Sequence, residues 1–378
     1  MKKILFVTHY PGIGGANLSM VYLINNLMKY HNITPMVYIP VEGPIIELLD
    51  KFNIPYEVHH YVSWRTQNQG GIRNIIRALA MLILNTWFVF KLLNKVKKFD
   101  VIYSNSSKVI FGAFLKFFTK KPLIWHLREF GTFDYPMVFL LPKKCVARIF
   151  EYADVCITIS KEIENVYRTK FSPYANYKLV YNGVEFQDYC NVNSFRESDE
   201  IIKICMVGGF DEAKNQEDLI RAIAKLDILK YKVQVDFYGD NETLYGRKMM
   251  KLVYDLNINQ VVSFRGQTKG INKILPDYHI GIITSKYEAF GRIIVEYMLS
   301  NLAVIATDTG ACPELIQNGR TGLIYHLGDS EDLAMKIQYL WNNRSILSEL
   351  SKNGREYAIS NFTAEINANN IANIIKAI

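Results

Sequence analysis

Two glutamates on either side of a glycine-containing turn form the most informative group of side chains in this sequence. Glu288 and Glu296 are eight residues apart in the segment SKYEAFGRIIVEYMLS, which covers residues 285–300. The segment follows a short apolar run, and a helix is predicted to begin near Gly291. The free amides of a helix N-terminus favour a phosphate, and a carboxylate accepts hydrogen bonds from paired hydroxyls. The spacing therefore indicates a site that holds a sugar and a ribose around a phosphate.

A second interpretation of these residues remains open. Arg292 and Glu296 are four residues apart on the predicted helix, so they could form an ion pair on the surface. Such a pair contributes only about 0.3–0.5 kcal/mol and needs no ligand. Gly291 favours the binding interpretation, because a residue without a side chain allows close approach to the backbone.

The elements that must position these residues repeat along the chain. Residues 3–8 (KILFVT) and 202–207 (IKICMV) are apolar runs typical of buried strands, and each precedes a glycine-containing turn and a helical pattern. Apolar runs then alternate with helical stretches, which predicts parallel sheets with right-handed crossovers. The other predicted strands lie near 35–40, 101–104, 122–126, 155–159 and 178–181, and near 233–239, 261–265, 280–284, 303–307 and 322–325.

Length and composition bound the fold and exclude several classes of protein. The chain has 378 residues, of which 49% are hydrophobic and 21% charged, so it is expected to form two globular α/β domains. The polar stretch at 186–200 is the expected boundary. The first turn lacks G-x-G-x-x-G, and the chain has no GxxxxGK[ST], which argues against a dinucleotide site there and against a P-loop NTPase. No apolar stretch reaches 18 residues, so no membrane-spanning helix is expected.

The segment EAFGRIIVE at 288–296 resembles the E-x7-E motif of retaining GT-B glycosyltransferases, especially glycosyltransferase family 4. The segment VIATDTGACPELIQNGRTGLIY at 304–325 is similar to the part of that family that follows the motif. Four shorter segments also match the family: GGA at 14–16, WHLREFG at 125–131, ADVCITIS at 153–160 and YNGVE at 181–185. The resemblance therefore extends over nearly the whole chain.

The resemblance implies a GT-B fold, in which two Rossmann-like domains with parallel sheets face each other across a cleft. The expected acceptor domain covers residues 1–188, and the expected nucleotide-sugar donor domain covers residues 200–360. A C-terminal helix at about 361–378 is expected to pack back on the first domain.

The resemblance also implies roles for individual residues. Glu296 would bind the donor ribose, Glu288 would contact the donor sugar, and Lys214 would neutralise the leaving diphosphate. A fixed positive charge near the leaving group is favourable, because negative charge develops there during transfer. The remaining expected donor-binding residues are Gly14, Gly15, Gly209, Ala289, Phe290, Gly291, Arg292 and Ile293.

Two positions depart from the family pattern. Gly209 stands where the family often has arginine, and Arg292 is a candidate substitute for the missing charge. Arg128 stands where the family often has a catalytic histidine, and His126 is two residues away. The candidate catalytic residues are therefore Glu288, Lys214, Arg128 and His126, although His126 could instead be a histidine of the core.

The implied reaction is transfer of a sugar from a nucleotide-sugar, by default a UDP-sugar, to a hydroxyl with retention of anomeric configuration. The acceptor would be a glycan or a lipid-linked glycan in surface polysaccharide or glycolipid synthesis. Front-face attack is favoured over a covalent intermediate, because no nucleophile stands out in the first domain. The chain has no D-x-D motif, so no metal or other cofactor is expected. A nucleotide-sugar epimerase of the same fold and a non-catalytic GT-B partner subunit are the alternatives.

The net charge of +8 indicates an anionic partner. Residues 71–99 combine basic and large apolar side chains, which suits either a helix in an anionic membrane interface or a core helix with a solvated basic end. The expected location is cytoplasmic, with peripheral attachment to the inner face of the membrane as the alternative. Nucleic acid is not expected, because the chain has no zinc-finger spacing, RNP-like segment or dense basic run.

Overall fold

A computed structural model describes residues 2–67, 70–131, 138–189, 199–268 and 270–378. The chain divides into two compact units. The first unit comprises Met1–Gly183 and Ala364–Ile378, and the second comprises Val184–Thr363. Each unit contains a parallel sheet with helices, which confirms the α/β class expected from the sequence.

The first unit is organised around a seven-stranded parallel sheet. The strands of this unit are β1 (Lys3–Thr8), β2 (Thr34–Ile39), β3 (Tyr56–Val58), β4 (Arg65–Thr66), β5 (Val101–Asn105), β6 (Leu123–Leu127), β7 (Val138–Phe139), β8 (Val155–Thr158) and β9 (Tyr177–Leu179). Their order in the sheet is β3-β2-β1-β5-β6-β8-β9, and β4 pairs with β7 separately as a short antiparallel ladder. The strand order reverses direction at β1, which is where open α/β sheets bind ligands.

All six predicted strands of this unit are present, with ends that differ from the prediction by no more than two residues. The sequence predicted neither the two-residue strands β4 and β7 nor β3. None of its three residues is fully buried, so it lacks the apolar run that marks the other strands.

The helices of the first unit cover the sheet and complete its core. They are α1 (Gly15–His31), α2 (Ile45–Lys51), α3 (Ile72–Val96), α4 (Phe111–Thr119), α5 (Lys143–Glu151), α6 (Lys161–Lys170) and the C-terminal helix (Ala364–Ala377). Met20, Ile24 and Leu27 of α1 are spaced three and four residues apart, so they share the face that packs into the core with Ile4 of β1. Ile371 of the C-terminal helix joins the same core, which places that helix in the first unit.

Helix α3 has an unusual distribution of apolar side chains. Only five of its 25 residues are buried, and one of those five is Asn85. Within the described residues, α3 is the one helix long and apolar enough to cross a membrane by length and composition. Arg77 and Lys91 interrupt the apolar run without ending the helix, so α3 is longer than the apolar stretch in the sequence. The expectation that no helix spans a membrane stays a prediction, because length and composition alone do not test it.

The second unit contains a six-stranded parallel sheet of order β12-β11-β10-β13-β14-β15. Its strands are β10 (Ile202–Val207), β11 (Val233–Tyr238), β12 (Val262–Gly266), β13 (Ile280–Ile283), β14 (Ala303–Thr307) and β15 (Leu323–Tyr325), all six of which were predicted. Its helices are α7 (Gln216–Ala224), α8 (Leu244–Asp255), α9 (Arg292–Leu299), α10 (Cys312–Leu315), α11 (Ser330–Asn342) and α12 (Arg344–Asn361). Helices cover both faces of this sheet, so its central strands are continuous apolar runs.

The two units divide at different residues from those predicted. Residues 184–188 were expected in the first domain but belong to the second unit, because Val184 forms a parallel bridge with Thr363. A hydrogen bond from Asn272 Nδ2 to the carbonyl of Asp188 also ties this segment to the second unit. Most of the expected boundary at 186–200 lies outside the described residues, which omit 190–198.

Candidate active site

The candidate donor residues of the second unit lie on the loops that follow β10 and β13 and on α9, the helix that the second of these loops enters. These loops leave the carboxyl edge of the sheet, which is the edge where parallel α/β sheets bind ligands. Tyr297 of α9 fixes the position of that helix, since its hydroxyl accepts a 2.8 Å hydrogen bond from the amide of Val207 in β10. Its ring packs over Gly281 of β13, where an added Cβ would lie 2.3 Å from the ring.

Lys214 and Glu288, 74 positions apart in sequence, form an ion pair with an Nζ–Oε2 distance of 2.7 Å. The side chain of Lys214 is 31% exposed and that of Glu288 is 13% exposed, so the pair is only partly screened by water. Burial by itself would lower the pKa of Lys214, but the Glu288 carboxylate more than offsets this effect and the pKa is raised. Lys214 is therefore a fixed positive charge at neutral pH.

Hydrogen bonds between two loops hold this lysine in place. The carboxylate of Asp211 accepts bonds of 2.9 Å from the amides of Ala213 and Lys214. The hydroxyl of Thr284 donates to the carbonyl of Lys214 at 2.7 Å, and the amide of Lys286 donates to that of Ala213 at 2.7 Å. The loop after β10 is thereby tied to the loop after β13, which carries Glu288.

Glu288 is also fixed through its backbone. Its carbonyl accepts a 2.8 Å hydrogen bond from the amide of Ala311 in the loop after β14. Gly310 passes so close that a Cβ there would lie 2.4 Å from that carbonyl oxygen, and its φ of +56° is in the left-handed region. This close approach explains the glycine in the sequence TDTGACPE.

The start of α9 has the features of an anion site. Gly291 is its N-cap residue with φ of +81°, and no side chain caps the helix. The amides of Arg292 and Ile293 in the first turn have no acceptor within the helix, whereas the amide of Ile294 bonds to the carbonyl of Gly291 at 2.8 Å. Ala289 and Phe290 lead into this turn, and Phe290 is buried against Phe362.

Glu296 forms the ion pair considered from the sequence, but the pair is not on the surface. Arg292 Nε lies 2.7 Å from Glu296 Oε1, and these side chains are only 19% and 10% exposed. The buried hydroxyl of Tyr189 also hydrogen-bonds to Glu296, and burial together with the carboxylate raises the pKa of Tyr189. Sequence reasoning missed Tyr189, because it lies in a short polar 3₁₀ turn, Phe186–Tyr189, with no motif around it.

Gly209 has space for the side chain that the family pattern often places there. The nearest atom to an added Cβ is Asp211 Oδ2 at 3.6 Å, which is an ordinary contact. The carbonyl of Gly209 accepts a 2.8 Å hydrogen bond from Gln216 Nε2, so its backbone is held. Close packing therefore does not explain the glycine at this position.

The remaining expected site residues lie in the first unit. Gly14 is the N-cap of α1 and Gly15 is the first residue of that helix. Asn17 Nδ2 donates to the carbonyls of Tyr10 and Gly12 at 3.0 and 2.8 Å, and so shapes the loop before them. Sequence reasoning did not single out Asn17.

His126 is enclosed within the first unit. Its ring is fully buried, and its Nδ1 lies 2.5 Å from the hydroxyl of Tyr103. Burial, aided by the nearby charge of Arg128, lowers the pKa of His126 well below its usual range. The ring is therefore neutral, and this environment favours the interpretation of His126 as a core histidine.

Arg128 follows the end of β6 and is 6% exposed. It donates through Nε to Asn105 and through Nη1 to Asn182 at 2.6 Å, while its Nη2 has no hydrogen-bond partner within the described residues. Burial lowers the pKa of Arg128 to about 10, so the guanidinium stays charged at neutral pH.

Glu129 is a buried carboxylate that sequence reasoning missed, although it forms part of WHLREFG. It accepts hydrogen bonds from the hydroxyl of Ser106 at 2.6 Å and from the amide of Ser107 at 2.7 Å. Burial raises its pKa, but His9 and these donors offset the effect, so the pKa of Glu129 is lowered. Ser106 has φ of +121°, a strained conformation for a residue with a side chain, and such strain often occurs at functional sites.

Comparisons with known proteins agree with this architecture. Residues 191–357 match the family profile described as glycosyl transferases group 1. The chain is 24% identical over 223 residues to the N-acetyl-alpha-D-glucosaminyl L-malate synthase of Bacillus anthracis, covering 57% of each chain. It is 23% identical over 368 residues to the capsular polysaccharide biosynthesis glycosyltransferase CapM of Staphylococcus aureus, covering 91% of this chain and 95% of that one. The crystal structure of Anabaena HepE in complex with UDP matches 100% of both chains with a TM-score of 0.82 and 22% identity.

Proposed function

We propose that the chain is a glycosyltransferase whose second unit binds a nucleotide-sugar, by preference a UDP-sugar. The match of residues 191–357 to the glycosyl transferases group 1 profile and the GT-B fold support this proposal. The chain then transfers the sugar to an acceptor hydroxyl with retention of anomeric configuration, as expected of glycosyltransferase family 4. The observation that carries the proposal is the Lys214–Glu288 ion pair, held by backbone bonds on the same loop that leads into the uncapped start of α9.

The proposed chemistry follows from the charges at this site. The first-turn amides of α9 and the ammonium of Lys214 bind the diphosphate and stabilise the negative charge that develops on it as the sugar leaves. Glu288 accepts hydrogen bonds from the sugar hydroxyls, and Glu296 accepts them from the ribose. These fixed positive groups support transfer without a metal or other cofactor. Loss of activity after chelation, with recovery on addition of a divalent ion, is the result that would oppose this part of the proposal.

We further propose front-face attack, in which the leaving phosphate takes the proton of the acceptor hydroxyl. Of the two first-unit candidates for catalysis, Arg128 is better supported than His126, because it lies beyond the end of β6 and remains charged. The acceptor is a glycan or lipid-linked glycan, and the reaction contributes to surface polysaccharide or glycolipid synthesis. The support for this acceptor class is the similarity to CapM, which is described as a capsular polysaccharide enzyme.

Calorimetric titration with UDP, UDP-sugars and other nucleoside diphosphates tests donor binding. We expect UDP to bind, and Glu296→Gln to weaken that binding. Glu331→Gln is a matched control, because Glu331 forms an ion pair with Lys225 at 2.6 Å elsewhere in the same unit. Absence of binding to every nucleotide would support the partner-subunit alternative, and release of an epimer without acceptor would support the epimerase.

We also propose that the chain works at the cytoplasmic face of a membrane, with residues 71–99 in contact with anionic lipid. The exposed apolar side of α3 and the basic residues Arg73, Arg77 and Lys91 support this placement over the core-helix interpretation. Flotation with vesicles of phosphatidylglycerol and phosphatidylcholine at low salt tests it, and a protein that stays at the bottom of the gradient would refute it.

A further inference from the structure

Helix α3 has two apolar faces, and the described residues of the first unit cover only one of them. Met81, Val89 and Leu92 are buried on the inner face. On the opposite face, Ile83 is 67% exposed and Phe90 is 60% exposed, and this outer face continues through Ile72, Ile76, Leu79 and Trp87. A run of large exposed apolar side chains along about five turns of a helix is rare on a surface that only meets water.

A cavity of about 310 Å³ opens between α3, α4 and α5 next to this outer face. Its walls include Thr86 of α3, Phe114, Phe117 and Phe118 of α4, and Ile149 and Tyr152 at the end of α5. The rings of Phe118 and Phe90 are in contact, with centroids 5.0 Å apart. The outer face of α3 and the cavity therefore form one continuous apolar surface.

The chemistry of the walls restricts what the cavity can hold. The side chains that line it offer only the hydroxyls of Thr86 and Tyr152, so a sugar or a phosphate inside would lose its hydrogen bonds to water without replacement. The dimensions and lining of the cavity suit a segment of hydrocarbon chain.

Basic side chains on α3 and after α4 flank the outer face of α3 and indicate which molecule supplies the chain. The ammonium of Lys91 lies 5.4 Å from the exposed ring of Trp87, and that of Lys120 lies 5.0 Å from the exposed ring of Phe117. Arg73 and Arg77 follow on the same side of α3 as Lys91. Lipid headgroups with negative charge complement this arrangement, whereas a symmetric contact with a second copy would bring like charges together.

We propose that the cavity between α3, α4 and α5 admits an acyl chain of an anionic membrane lipid while the outer face of α3 lies in the interface. The proposal rests on the membrane association proposed above and adds a specific chain-binding site to it. It explains why the apolar surface extends beyond α3 to the aromatic side chains of α4. If only the outer face of α3 touched the membrane, this extension would not be needed.

Photocrosslinking tests the proposal on the intact protein. Vesicles of phosphatidylglycerol and phosphatidylcholine carry a trace of phosphatidylglycerol with a diazirine in mid-chain, and adducts are mapped by mass spectrometry after flotation. We expect adducts on the Phe111–Thr119 helix as well as on the outer face of α3. Adducts confined to α3 would overturn the cavity proposal, because they show interfacial contact without chain entry.

Substitutions that fill the cavity provide the second test. Thr86→Phe should reduce the α4 adducts about tenfold, because it excludes roughly two methylene groups of the acyl chain from the cavity. The variant should still float with the vesicles. Ile149→Phe narrows the cavity from the α5 side and serves if the first variant misfolds. Leu244→Ser is a matched control, since Leu244 is 89% exposed in the second unit. Unchanged α4 adducts in both folded cavity variants would also overturn the proposal.

The vesicle-binding result also separates this proposal from the glycosyltransferase proposal. A protein that does not bind the vesicles overturns the cavity site and the membrane association together, while UDP binding in calorimetry still tests the donor site independently. Self-association of the protein without lipid, abolished by Ile83→Ser, would assign the apolar face to a second copy and likewise overturn the proposal.

Discussion

Replacement of Lys214 by methionine separates the structural role of the ion pair from its proposed role in donor binding. The variant keeps much of the aliphatic chain but leaves the Glu288 carboxylate, 13% exposed, without its cation. Breaking a fully buried pair costs about 3–5 kcal/mol and an exposed one about 0–1 kcal/mol. Because Lys214 is 31% exposed, we expect an intermediate loss of about 2 kcal/mol in the free energy of unfolding.

Donor binding should respond differently to the same change. Loss of a charge-assisted hydrogen bond to the diphosphate costs about 1.5–3 kcal/mol of binding free energy, which weakens the binding of UDP by roughly 10- to 150-fold. In the double variant Lys214→Met with Glu288→Gln, no uncompensated charge remains, so most of the stability should return. The affinity for UDP should not return, since the cation that meets the diphosphate is still absent.

The assay combines thermal melting with calorimetric titration of UDP for the wild type, both single variants and the double variant. Lys225→Met is the control, because its pair with Glu331 is 42% and 63% exposed and should contribute no more than about 1 kcal/mol. If folded Lys214→Met binds UDP as tightly as the wild type, Lys214 does not meet the phosphate and the reasoning is refuted.

Three further predictions concern other parts of the two units. Glu296→Gln should weaken UDP by about tenfold but leave binding of inorganic diphosphate unchanged, since the carboxylate is assigned to the ribose; equal losses for both ligands in calorimetry would contradict that assignment. Gly310→Ala should lower the free energy of unfolding by at least about 2 kcal/mol and the melting temperature by several degrees, because Gly310 has a positive φ and a Cβ there would lie 2.4 Å from the Glu288 carbonyl oxygen. Gly209→Ala, where an added Cβ has space, should leave the melting temperature nearly unchanged. Glu129 has a lowered pKa in the folded protein, so its stabilising effect is present above its ordinary value of 4.5 and is lost as the pH falls through the lower folded value. Denaturation across this acidic range should therefore be less steep with pH in Glu129→Gln, and identical slopes would show that this carboxylate does not contribute.

The sequence was sufficient to predict most of the strands and to single out the candidate donor residues, because both leave local patterns. Buried parallel strands such as β10 and β14 are continuous apolar runs between turns, because a strand covered on both faces needs apolar side chains on both. Glu288, Gly291 and Glu296 belong to one short segment whose spacing follows from a loop that leads into a helix. The missed strand β3 and the missed Tyr189 lack such patterns, since one is a partly exposed edge and the other lies in a polar turn.

The sequence by itself determined the α/β class, the paired strand–turn–helix starts and the carboxylates at the start of α9, because backbone conformation and burial along one segment depend on neighbouring residues. Only the tertiary structure decided which distant groups meet. It paired Lys214 with Glu288, enclosed His126 beside Tyr103 and left the outer face of α3 uncovered. Each of these outcomes depends on how segments far apart in sequence pack against one another. Packing, rather than local propensity, sets the exposure and charge environment of a side chain, and so decides what a residue of given type can do.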